Sequence, residues 1–438
     1  MAIDALHSYT FKVLGIGFLA LLMLIPLVQV QGLIGERSEL RYKAVASIAQ
    51  GWGGEQQVGG PVLAVPKRMR VQANGGWTTL ETTEIVLPDQ LDIRATLAPE
   101  TRRYGIYETP VYTAEITLSG HFLAADIKGL ATSEATYLWD RAELRLPVGD
   151  VRGIRRVSAL RIAGEDKRVG PGEGSVGNVG AVAVPFDPAA AQGENWPFEI
   201  SLTLAGTQRV EFLPLARRTE VSAAAPWPDP SFDGSFLPAE RTIDAKGFEA
   251  HWQVLDLNRP FGQHWQQGAE RMPDIGNSGF GVALYQPASV YQQNERAGKY
   301  GALFIALTFV AFFLFEVLKK LRVHPVQYLL VGLALTTFYV VLLALSEQIG
   351  FARAYLVAAA AVVALVGGYA AAVLRTRRAG LVLGGVMSVV YALLYGLVAS
   401  EQYSLLMGAI ALLGVVAALM YLTRKVDWYA AALARGAA

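Results

Sequence analysis

The chain has 438 residues and a formal net charge of +1; 53% of its residues are apolar and only 17% charged, with a mean hydropathy of +0.33. That balance points to a membrane protein. It does not suggest a nucleic-acid binder, which would concentrate positive charge on one face. There is no cysteine, which excludes disulfides, thiolate metal sites and a cysteine nucleophile.

The small net charge hides a division. Between Gly32 and Tyr300 there are 27 Lys/Arg against 32 Asp/Glu, whereas the rest of the chain carries 11 against 5. In chain order, the first element is an apolar stretch at 13–30, long enough to cross a bilayer, for which about 20 residues are needed. It is too long for a signal-peptide core and no Ala-x-Ala-like site follows Gln31, so it reads as an anchor, residues 1–31. After it Leu40, Ala44 and Ile48 recur every four residues, lining one helix face, until Gly51, Gly53 and Gly54 break the pattern.

Residues 32–300 read as a large β-rich domain. Segments at 83–97, 111–122, 142–148 and 198–213 alternate apolar and polar residues. Asn74-Gly75 is a hairpin signal. Asp233-Gly234 is a turn candidate inside the proline-rich stretch 226–238, which reads as a linker or sub-domain boundary. Gly172 to Gly177 spells a dinucleotide-binding fingerprint, but Gly170-Pro171 precedes it where a strand is required, so it reads as a flexible glycine loop. Gly276-Asn277-Ser278-Gly279 falls short of a nucleophile elbow and reads as a turn before a strand. His7, His121, His251, His264 and His324 show no metal-ligand spacing. No cofactor, metal or catalytic residue is therefore expected.

Five further apolar stretches follow, at 302–318, 326–345, 355–374, 381–398 and 405–422, giving an α-helical bundle over 301–423 and a tail at 424–438. Glu316 is the one charge inside any span, and nearby Lys319 and Lys320 suggest an ion pair at the bundle's end. Lys319, Lys320, Arg322, Arg375, Arg377, Arg378, Arg424, Lys425 and Arg435 fall in alternate loops; the intervening loops hold Glu347 and Glu401, with Arg353 as their only basic residue. The positive-inside rule then places both termini in the cytoplasm and residues 32–300 outside it. Trp428 and Tyr429 suit an interfacial anchor. The span centres carry no charge, which speaks against ion-coupled transport. Gly367-Gly368 and Gly384-Gly385 read as close helix packing.

Several strings resemble the CreD family of inner-membrane proteins. Near the N-terminus these are Leu24-Ile25-Pro26-Leu27, Leu33-Ile34-x-Glu36-Arg37 and Gly60-Pro61-Val62-Leu63-x-Val65-Pro66. Towards the C-terminus they are Arg296-Ala297-x-Lys299-Tyr300, Phe312-Phe313-Leu314-Phe315-Glu316, His324-Pro325-Val326-Gln327-Tyr328, Leu345-Ser346-Glu347 and Asp427-Trp428-Tyr429. The family usually has His after Ser-Glu, where Gln348 stands here, and often Glu-Asp where this chain has Glu401-Gln402. Those two departures speak against a proton-linked role for the two loops.

The resemblance implies a Gram-negative inner-membrane protein of cell-envelope integrity, in a two-component regulon tied to β-lactam response. The expected partners are the lipid bilayer and a periplasmic envelope protein or glycan, with no nucleic acid. A transporter or channel-like protein with the outer domain as gate or receptor is the alternative. The residues expected to couple the parts are Glu36, Glu39, Arg296, Glu316 and Glu347. The first span and the helix running straight from 292–299 into the second span would form a two-helix stalk, with Arg296 near Glu36 or Glu39.

Overall fold

The computed structural model describes residues 2–73, 76–130, 135–169, 174–268, 273–284, 290–319, 323–373, 376–400 and 404–424. Asn74-Gly75, Lys320, Arg322, Arg375, Glu401, Gln402, Lys425, Trp428, Tyr429 and Arg435 lie outside them. The chain divides into two compact units, one formed by Met1–Arg41 with Pro287–Ala438 and the other by Tyr42–Gln286.

The helices are α1 (Ala2–Leu22), α2 (Leu24–Trp52), α3 (Ala124–Lys128), α4 (Val290–Lys299), α5 (Gly301–Lys319), α6 (Pro325–Ile349), α7 (Phe351–Val373), α8 (Arg377–Ala399) and α9 (Ser404–Thr423). Among the described residues, four stretches have the length and hydropathy of a membrane crossing: Lys12–Trp52, Pro325–Ile349, Phe351–Val373 and Arg377–Ala399. A fifth exists if α4 and α5, bent by 46°, make one span. Within α9 the apolar stretch found among the described residues is Leu406–Ala417, and the count of six stays a reading of the sequence.

Two breaks have local causes. Pro26 has no N–H to give the Leu22 carbonyl, and its ring crowds that carbonyl, so the helix yields at Met23 between α1 and α2. The straight run expected through 292–299 into the second span is corrected by the 46° bend at Tyr300. There the Tyr300 N–H reaches back only to Ala297 O, at 3.2 Å, a tightened last turn followed at once by Gly301. The start of α6 is capped as its sequence suggests: the Val326 N–H donates to His324 Nδ1 at 3.3 Å, and Pro325 occupies the first turn.

The second unit holds three sheets among its described residues. The eight-stranded sheet runs Glu240–Asp244, Gly247–Leu255, Arg218–Ala225, Gln90–Tyr104, Tyr107–Leu123, Asn195–Thr207, Ile154–Ile162 and Glu165–Asp166 in spatial order. The seven-stranded sheet runs Gly174–Val176, Val179–Pro185, Glu143–Pro147, Val62–Ala73, Gly76–Val86 and His264–Gln267, with Ala135–Tyr137 beside Val62–Ala73. Gln56–Val58, Arg209–Phe212, Phe280–Leu284 and Pro230–Gly234 form the four-stranded sheet. Trp196, Trp252, Tyr112, Phe122, Phe212 and Phe280 are fully buried in the core. Each such aromatic removes 150–250 Å² from water.

Alternation located the strands but ran through their ends. The segment expected at 83–97 is two strands in two sheets, separated at Leu87-Pro88-Asp89, where Pro88 has no N–H for a ladder. The segment at 198–213 is likewise cut at Gln208, whose φ is +65°. The proline-rich stretch at 226–238 is not a linker. Its Pro230–Gly234 portion is an edge strand paired to Phe280–Leu284, and Asp233-Gly234 ends that strand. The described part of the glycine-rich stretch is a hairpin, Gly174–Val176 against Val179–Pro185, with Gly177 at φ +57° in the turn. Ala73 and Gly76 pair across the position of Asn74-Gly75.

The C-terminus of α2 is held within the second unit. The Trp52 indole N–H donates to Tyr112 O at 3.2 Å, and the guanidinium groups of Arg102 and Arg155 lie 4.1 and 4.8 Å from its ring centre. Gly53 has φ +129°, and a side chain there would meet Ala205 O at 2.6 Å. The helix therefore stops at Trp52.

Candidate functional site

In the membrane unit Glu316 is 3% exposed, on the last turns of α5. Its carboxylate is fully engaged. Lys12 Nζ donates to Oε1, as does the Val323 N–H at 3.2 Å, while the Tyr328 hydroxyl donates to Oε2 at 3.0 Å. Lys12 Nζ also donates to Val323 O at 3.1 Å. A buried carboxylate costs several kcal/mol of lost hydration, and here three donors offset that cost. The ammonium found on it is that of Lys12 on α1, 304 residues away; the pairing expected with Lys319 and Lys320 falls on side chains outside the described set.

A second polar cluster lies at the other end of α6. The Tyr291 hydroxyl donates to Glu347 Oε1 at 3.0 Å, with Arg37 Nε 3.9 Å from the same oxygen. Asn294, 1% exposed, donates to Ser346 Oγ at 2.9 Å and to Val290 O at 2.6 Å. Gln31 Nε2 donates to Gly298 O at 3.2 Å. Tyr328 and Glu347 are nineteen positions apart on α6, about 28 Å along a helix, close to a bilayer's hydrocarbon thickness. The first crossing is thus fastened to the bundle near both ends, by Lys12 at one and by Gln31 and Arg37 at the other. Glu36 and Glu39 are exposed on α2, and Arg296 is half-buried on α4. The sequence reading missed Lys12, Tyr291, Asn294 and Tyr328. Its one available signal was a polar group set in otherwise apolar or helical surroundings.

The second unit holds a buried ion pair of its own. Lys67, 9% exposed, donates to Glu84 Oε2 at 2.6 Å, and Glu84 is 5% exposed. His264 Nδ1 lies 2.9 Å from Glu84 Oε1. The Lys67 ammonium sits 5.7 Å from the Tyr137 ring centre, and burial raises the Tyr137 pKa. The Ser278 hydroxyl donates to Ile275 O at 2.6 Å. Among the described residues no group of three or more His, Asp or Glu is placed to hold a metal.

Comparison with known proteins decides the family. The family described as "Inner membrane protein CreD" matches residues 8–429, and the chain is 34% identical over 421 residues to "Inner membrane protein CreD" of Escherichia coli (strain K12). The chain belongs to the CreD family. The alignment covers 94% of this chain and 92% of that relative. It therefore takes in both units of this CreD-family protein, an inner-membrane protein with several apolar helices and a large β-rich domain. The CreD description names a location and no reaction.

Proposed function

We propose that this CreD-family protein maintains cell-envelope integrity without catalysing a reaction, its β-rich unit lying in the periplasm and binding an envelope partner. The Lys/Arg-rich alternate loops support that sidedness. The observation that carries the reading is the fate of Glu316. Among the described residues it is the one buried charge of the membrane unit, and Lys12, Tyr328 and Val323 occupy its oxygens. A carboxylate committed this way is a fastening for the first crossing and is not offered to a passing solute. The crossing it fastens continues as α2, which makes that helix the element able to carry a bound state to the bundle. A link to a two-component, β-lactam-responsive regulon follows from family resemblance.

The test uses Lys12→Met and Glu316→Gln chains produced at wild-type levels. Both should leak a periplasmic reporter enzyme and sensitise cells to detergent. Wild-type envelope integrity in both would refute the reading.

The 46° break between α4 and α5 favours a second reading, because transporters build substrate sites from broken helices. Solute flux through purified protein in liposomes, abolished by straightening substitutions at Gly298 and Gly301, would establish it.

A further inference from the structure

The eight-stranded sheet buries one face, with Ile93, Val221, Ala223, Ala250 and Trp252 all at most 5% exposed, and leaves the other open. On the open face the strand registers line up one residue from each of four neighbouring strands. Arg94 is paired with Ser222, Ser222 with His251, and His251 with Glu240. At about 4.8 Å per strand, three steps carry this row roughly 14 Å, from a guanidinium to a carboxylate. Two residues along, and so on the same face, the next row is Thr96, Ala224, Glu249 and Thr242. Two adjoining clefts of about 380 and 420 Å³ lie over these rows and share Thr96, Ala224, Glu249 and Thr242. Ser222 and Ala224 keep the floor low, and the Ser222 hydroxyl lies 3.2 Å from His251 Nδ1.

Some exposed arginines of this unit are paired, as in Arg68–Glu81, Arg103–Glu108 and Arg161–Asp166. Others, such as Arg70 and Arg156, have no ion pair among the described residues; what sets the cleft apart is that its unpaired charges share one sheet face. Among the described residues Arg94, Glu240 and Glu249 have neither an ion pair nor a side-chain hydrogen bond. Arg241, also in the lining, has its guanidinium over the Phe232 ring, and Asp244 and Lys246 line the second cleft only. Arg94 and the pair Glu240 and Glu249 are held apart by the sheet, and a ligand with an anionic and a cationic end can engage both.

We propose that this face binds a short extended peptide of about four to five residues, the length that spans 14 Å with its end groups at roughly 3.4 Å per residue. Its carboxylate lies on Arg94 and its ammonium group between Glu240 and Glu249. A charge-assisted contact at each end fixes the direction of binding. Between the ends the hydroxyl groups of Ser222, Thr96 and Thr242 face the peptide groups. A sugar chain fits less well, because the one benzene-ring side chain of the lining, Phe248, is buried and leaves no exposed ring for stacking. The proposal deepens the binding role given to this unit and names its ligand class.

The test titrates the purified full chain in detergent with penta-alanine bearing free termini. Saturable binding is expected, weakened at least tenfold when the peptide is C-amidated. Arg94→Gln should weaken the free-acid peptide at least tenfold and leave the C-amidated one unchanged. Glu240→Gln with Glu249→Gln should do the same for the N-terminus, with N-acetylation as the matching peptide change. These are exposed positions, and an unchanged thermal midpoint will show that the variants fold. No saturable binding, equal affinity for capped and free peptides, or binding of chitopentaose in place of the peptide would overturn the proposal. The titration is blind to compartment and phenotype, so its failure leaves the envelope test above standing, and the reverse also holds.

Discussion

Replacing Lys12 by Met leaves the Glu316 carboxylate 3% exposed and without its countercharge. Removing one partner of a fully buried ion pair costs about 3–5 kcal/mol. Two features reduce that figure here. The Lys12 side chain is 22% exposed and therefore partly hydrated, and Tyr328 and the Val323 N–H still donate to the carboxylate. The expected loss is about 2–4 kcal/mol. Glu316→Gln is milder, about 1–2 kcal/mol, because the amide oxygen can still accept a hydrogen bond and the freed ammonium can reach water along its flexible stem. The double variant should cost at least about 1 kcal/mol less than the sum, since the second change removes the orphan left by the first. SDS titration of the purified full chain, followed by circular dichroism at 222 nm, measures all four species. Additive losses, or a Lys12→Met cost below about 0.5 kcal/mol, would refute the account of this cluster as a buried fastening.

Three further expectations follow from the structure and the charge pattern. Reporter fusions at Asp150 and Gln348 should be active only outside the cytoplasm, and one at Arg377 only inside it; an inverted pattern refutes the proposed sidedness. Asp150 accepts from Gly54 N at 2.9 Å and from Arg152 N at 3.1 Å, and the Arg152 guanidinium above all holds its pKa below the usual value. A depressed carboxylate contributes stability above its unfolded pKa, near 3.9, and loses it as pH falls through the lower folded value. Asp150→Ala should therefore cost about 1–2 kcal/mol at pH 7 and progressively less towards pH 3, by thermal unfolding monitored through tryptophan. Finally, a side chain at Gly380 would meet Gly367 O at 2.5 Å and Ala371 Cβ at 2.6 Å. Gly380→Val should force α7 and α8 apart and cost at least about 1–3 kcal/mol, whereas the same change at Gly385, with nothing within 4 Å, should be far milder; equal effects in the SDS titration would contradict that packing.

The apolar stretches and the alternating strands were legible because each repeats a local period that sequence displays directly. Their interruptions were less so. The strand break at Pro88 carries a visible signal that alternation alone overrode, whereas the break at Gln208 depends on a backbone conformation no residue type announces. The Lys12 partner of Glu316 was missed for a different reason: 304 residues separate the two, and only the assembled bundle brings α1 to that carboxylate. The same limit applies to Arg94, Ser222, His251 and Glu240, which come from four strands and share a row solely through register. Family-specific strings in the spans, by contrast, identified the chain where physics alone left its role open.

The 304-residue separation of Lys12 and Glu316 also sets a clock on biogenesis. At about 5–20 residues per second of synthesis, α1 waits roughly 15–60 s for its partner. During that interval the whole of the second unit is made, and the Lys12 ammonium must be hydrated at the interface by extending its stem. Only a chain elongated past Glu316 can neutralise it. A product truncated earlier keeps a basic group at the bilayer edge and an unfastened first crossing.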